Sequence, residues 1–62
     1  MPALDIFRMD KDGSVSWIGT AESIEGAKRQ IRILSALVPA DYLILRQATG
    51  ERIVIRKAEL PN

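Results

Sequence analysis

The segment YLILRQATGERIVIRK, residues 42–57, reads as a β-hairpin, and its register decides which side chains build the core. A three-residue loop, Ala48-Thr49-Gly50, places glycine at the left-handed bulge position. Leu45 then faces Ile53, Leu43 faces Ile55, and Asp41 meets Lys57. Leu43, Leu45, Ile53 and Ile55 share one face, expected to be the core. The opposite face carries Tyr42, Ile44 and Val54 with the arginines Arg46, Arg52 and Arg56. In this register Arg46 lies directly across from Arg52. Like charges in that position destabilise a sheet, and a broken local rule marks a candidate for function.

Upstream of the hairpin the spacing predicts a helix. Ser23 is the expected N-cap, with Thr20 as the alternative, and Glu25 places a negative charge in the first turn. Ile24, Ala27, Ile31, Leu34 and Val38 recur at three- and four-residue steps and form one apolar stripe. Ile33 and Leu37 lie off it. Pro39 cannot continue a helix, so the helix stops near Leu37 or Val38. Gly26 weakens the first turns and is expected to allow close packing on the sheet.

Further upstream, Leu4–Met9 and Ser14–Gly19 read as two strands joined by the turn signal Asp10-Lys11-Asp12-Gly13. A three-residue loop, Lys11-Asp12-Gly13, sets Phe7 opposite Trp17 and Met9 opposite Val15. These four large side chains are expected to face the helix, leaving Ile6, Arg8, Ser16 and Ile18 on the other side. A two-residue Asp-Gly turn is the competing register and mixes the faces.

The order is therefore strand, strand, helix, strand, strand. We expect an α+β domain, ββαββ, with a four-stranded, mostly antiparallel sheet and one helix packed on one face, spanning 1–62 as a single compact domain. A right-handed crossover leaves two arrangements open, with the third or the fourth strand beside the first hairpin.

Composition bounds the function classes. A 62-residue chain that is 47% hydrophobic is too small to bury all its apolar surface in itself. The simplest cover is another copy. A net charge of +1 argues against strong nucleic-acid binding on overall electrostatics. With no cysteine, disulfides and thiolate metal sites are excluded. No signal-peptide pattern opens the chain and no apolar run reaches membrane-spanning length, so a cytoplasmic protein away from membranes is expected.

Chemistry-bearing motifs are sparse. The run Asp10–Ser14 fails as a calcium loop: counted from Asp10, the glycine falls at the fourth position and Ala21 stands where the bidentate glutamate belongs. Counted so that Gly13 is sixth, the loop starts with Arg8 and ends at Gly19, and it fails again. No serine has a histidine partner, because the chain has no histidine. The carboxylates fall at turns, caps and strand ends. No catalytic residue, metal ligand or cofactor is expected.

What remains is a candidate contact surface: Arg8, Tyr42, Ile44, Arg46, Arg52, Val54 and Arg56. A non-enzymatic interaction module is the leading reading, self-associating as a homodimer through the open sheet face, with an apolar centre and an arginine rim, or through a sheet edge, or meeting an unidentified protein partner. A solvated face with arginines lying over apolar surface is the plain alternative. Nucleic-acid binding is the third, with Tyr42 stacking on a base, although sheet-face readers use several aromatics.

The turn Asp12-Gly13, then Trp17-Ile18-Gly19, Ala21-Glu22-Ser23-Ile24-Glu25, Ala27-Lys28 and Thr49-Gly50-Glu51 come in an order that resembles a group of small, uncharacterised bacterial proteins. The resemblance spans nearly the whole chain. It implies one compact bacterial domain without an assigned activity, and it adds no site residues.

Overall fold

A computed structural model describes residues 3–59 of the domain expected over 1–62. Among the described residues the elements are β1 (Leu4–Met9), β2 (Val15–Ala21), α1 (Ile24–Leu37), β3 (Asp41–Arg46), β4 (Arg52–Ile55) and a 3-10 turn at Lys57–Glu59. The expected ββαββ order is present. The strands form one sheet in the order β2-β1-β3-β4, every neighbouring pair antiparallel. Of the two arrangements left open, the third strand lies beside the first hairpin. Since β2 and β3 both run antiparallel to β1, they are parallel to each other, and α1 is the crossover between them.

The first hairpin has the expected register, with Phe7 opposite Trp17 and Met9 opposite Val15. Gly13 closes its turn at φ 88°, and its N–H donates to the Asp10 carbonyl. A bulge follows, after which Gly19 rather than Ile18 opposes Ile6. The extra residue lets β2 run on to Ala21, two residues beyond the expected end, and keeps Ala21 opposite Leu4. Thr20, the alternative cap, is part of this strand.

Ser23 caps the helix as expected. Its backbone is extended and its Oγ accepts from the Gly26 N–H at 3.1 Å. The helix ends at Leu37, where the Val38 N–H donates to Leu34 and Pro39 blocks another turn. Gly26 plays a different part from the one its spacing suggested. A Cβ there would meet only the Ser23 Oγ, at 3.2 Å, so the missing side chain makes room for the cap rather than for the sheet.

The core sits between one face of the sheet and α1. Leu4, Ile6, Ala21, Tyr42 and Ile44 contribute from the strands, Ala27 and Ile31 from the helix. Ile18, Ile24, Leu34, Ala40, Ile53 and Ile55 pack around them.

Two expectations about faces are overturned. In the second hairpin Ile44 opposes Ile53, Tyr42 opposes Ile55 and Leu43 opposes Val54. That is one residue off the sequence register. The loop has four residues, Gln47–Gly50, closed by the Arg46 N–H to the Glu51 carbonyl and the Gly50 N–H to the Arg46 carbonyl, each 2.8 Å. Gly50 takes the left-handed conformation at φ 76° in either loop, so glycine fixes where the loop ends and not where it begins. A one-residue slip exchanges the two faces of a strand. Tyr42 and Ile44 therefore face the helix, and Leu43 and Leu45 turn outward. In the first hairpin the register is as expected but the faces are reversed. Leu4 and Ile6 are buried, while Phe7, Met9, Val15 and Trp17 look away from the helix.

Candidate functional site on the open sheet face

With α1 on one face, the other face of the sheet is uncovered among the described residues, and the registers arrange it in rows across the strands. The central row is Trp17, Phe7, Leu43 and Val54, one residue from each strand in the order β2-β1-β3-β4. Every member is apolar. Trp17 is 60% exposed and Val54 44%, because each lies on an edge strand; Phe7 and Leu43 are half-buried by their flanking neighbours. Val15 and Met9 extend the apolar surface on one side and end at Asp41, opposite Met9. On the other side the row is Thr20, Asp5, Leu45 and Arg52.

Asp5 lies in the row beside the apolar one, and it is held in place. The Trp17 indole Nε1–H donates to one carboxylate oxygen at 3.2 Å and the Gln47 amide to the other at 3.0 Å. The same bond draws the Trp17 ring along the face toward β1. Arg52 lies at the far end of that row. Among the described residues it has no carboxylate within ion-pair distance.

The residues singled out from sequence do not form one surface. Tyr42 and Ile44 are 1% and 0% exposed and belong to the core. Arg8 shares their face and its Nε donates to Asp10 at 3.0 Å. Arg46 donates to Glu51 at 3.0 Å, its closing partner in the hairpin loop, and does not stand opposite Arg52. Arg52 and Val54 alone of the set lie on the open face within β4, and Arg56 follows the end of that strand. The arginine and tyrosine face expected from sequence is thus divided between the two sides of the sheet. Phe7, Trp17, Leu43 and Leu45, assigned to the core from sequence, supply the exposed face instead.

Tyr42 does a structural job. Its hydroxyl donates to the Val38 carbonyl at 2.7 Å, tying the helix exit to β3. Burial pushes the phenol above its ordinary value of 10.0, with the Arg8 charge opposing and the Asp10 charge adding to the rise. The unfolded phenol therefore ionises first. Stability from this group is intact below pH ~10 and declines as pH rises through and beyond it. We expect Tyr42→Phe to lose about 1 kcal/mol at neutral pH through the missing hydrogen bond, and to show a shallower alkaline decline. Urea unfolding midpoints at neutral and strongly alkaline pH measure both; an equally steep decline in Tyr42→Phe would refute the assignment.

A cavity of about 340 Å³ opens at the end of the sheet, between Asp10, Lys11, Pro39, Asp41 and Lys57. Its carboxylates are already used in turns. Asp10 accepts from Arg8 and Ser14, and Asp41 accepts from the Lys57 N–H at 2.7 Å. Among the described residues no helix is long and apolar enough to cross a membrane. No family model, curated protein or solved structure matches the chain.

Proposed function

We propose that this chain is a non-enzymatic interaction module that self-associates as a homodimer through the open face of its sheet. The observation that carries the reading is the central row Trp17–Phe7–Leu43–Val54, apolar from edge to edge and, among the described residues, without a covering layer. A chain in water gains by removing such a continuous patch from solvent, and large aromatic side chains such as Phe7 and Trp17 are the usual anchors of an interface. The face is a better candidate than an edge. β4 has only four residues and β2 carries the bulge, two devices that discourage edge-to-edge pairing. A bacterial, cytoplasmic setting, implied by the resemblance and the composition, belongs with this reading.

The test is sedimentation velocity and light scattering from micromolar to millimolar concentration. The protein should titrate from monomer to dimer. Val54→Asp should weaken association by roughly tenfold or more while leaving the circular dichroism spectrum unchanged. A strict monomer over the whole range would remove the proposal.

A further inference from the structure

Resting on that reading, we infer that the second copy docks sheet to sheet about a two-fold axis parallel to the strands, and that Arg52 of each copy pairs with Asp5 of the other. The charges on the face carry the inference. Asp5 lies on β1 and Arg52 on β4, in one row and on opposite sides of the midline between β1 and β3.

Two in-plane axes can bring identical faces together. An axis perpendicular to the strands keeps each strand over itself and exchanges the ends of the sheet. Asp5 then meets the partner's Met9, Trp17 meets the partner's Trp17, and Arg52 is left at an edge without an acid. An axis along the strands keeps each row over itself and exchanges the edges. The second copy's β4 then lies over β2, and its β3 over β1. Its Arg52 projects over Thr20, one strand spacing of about 4.8 Å from Asp5 and beside the Trp17 ring. A guanidinium there can bond the carboxylate and stack on the indole. The same operation sets Trp17 over the second copy's Val54 and Phe7 over its Leu43, so each large ring meets a branched aliphatic. Two sheets packed this way need only the usual interlayer angle of roughly −30°. Asp41 faces the second copy's Met9 at the rim, where its carboxylate is already held by the Lys57 N–H.

Exchange of charges between copies tests this arrangement. In its homodimer Asp5→Lys sets an ammonium against Arg52 twice, and Arg52→Glu sets Asp5 against a second acid twice. Each should associate roughly 10- to 100-fold more weakly than the parent chain. An equimolar mixture of the two restores both opposite-charge contacts in the heterodimer and should recover most of the affinity. Should Asp5→Lys fail to fold, Asp5→Asn keeps the side-chain shape; added to R52E it removes the repulsion and should regain part of the lost association. If the parent chain dimerises but the single variants match it, or neither the mixture nor the D5N/R52E chain recovers, the strand-parallel arrangement is overturned and the open-face reading stands. If the parent chain is monomeric throughout, both fall.

Discussion

Ile44→Lys should leave no folded protein, whereas the same change one residue earlier, Leu43→Lys, should leave the fold in place and abolish the proposed self-association. Ile44 is completely buried between the sheet and α1, in contact with a core of Leu4, Ile6, Tyr42 and Ile31. Among the described residues the core holds no buried charged side chain and its one hydroxyl, that of Tyr42, is bonded to Val38, so a lysine there has no counter-ion. An uncompensated buried charge costs several kcal/mol. A 62-residue chain has only roughly 3–9 kcal/mol of stability in total. Leu43 points the other way, into the central row of the open face, where an ammonium reaches water. Two copies of the Leu43→Lys chain brought face to face would instead bury their new ammonium groups near one another. Circular dichroism and amide dispersion in proton–nitrogen NMR distinguish folded from unfolded, and light scattering reads association. A folded Ile44→Lys beside an unfolded Leu43→Lys would mean that β3 presents its other face to the helix.

That pair of neighbours marks where the sequence was legible and where it was not. The elements, their order, the Ser23 cap, the stop at Pro39 and the first hairpin's register all follow from local chemistry. Turn residues, caps and apolar spacing act within a few positions, and the chain states them directly. The faces depend on something non-local. In the first hairpin, correct pairing of Phe7 with Trp17 does not say on which side of the sheet the helix will lie. The helix follows the side that packs Leu4, Ile6 and Ala21 against Ala27 and Ile31. In the second hairpin a signal was present. The three-residue loop forces Arg46 against Arg52, whereas the four-residue loop sets Arg46 against Glu51, and the two form an ion pair at 3.0 Å. The like-charge conflict was evidence against the register rather than evidence for a site. With β3 slipped by one residue, the arginines separate and the candidate site passes to the aromatic and aliphatic side chains of the opposite face.

Ile31→Ala should be the most damaging truncation in the helix. It should remove about 2–5 kcal/mol and lower the melting temperature by roughly 10 °C or more, while Ile33→Ala stays within about 0.5 kcal/mol of the parent. The two isoleucines are two positions apart and differ only in where the helix turns them. Ile31 is wholly buried and Ile33 is 64% exposed. A 14-residue helix is marginal in water by itself, so α1 exists because its apolar stripe rests on the sheet. Ala27 and Ile31 are its only fully buried residues, one turn apart, with Ile24 and Leu34 partly buried at either end. Of the fully buried pair, Ile31 alone has a side chain larger than a methyl group. Truncating it leaves a cavity beneath the crossover that joins the two halves of the sheet. Urea denaturation followed by circular dichroism measures the loss. Equal costs for Ile31→Ala and Ile33→Ala would show that α1 is not seated on the sheet through that turn.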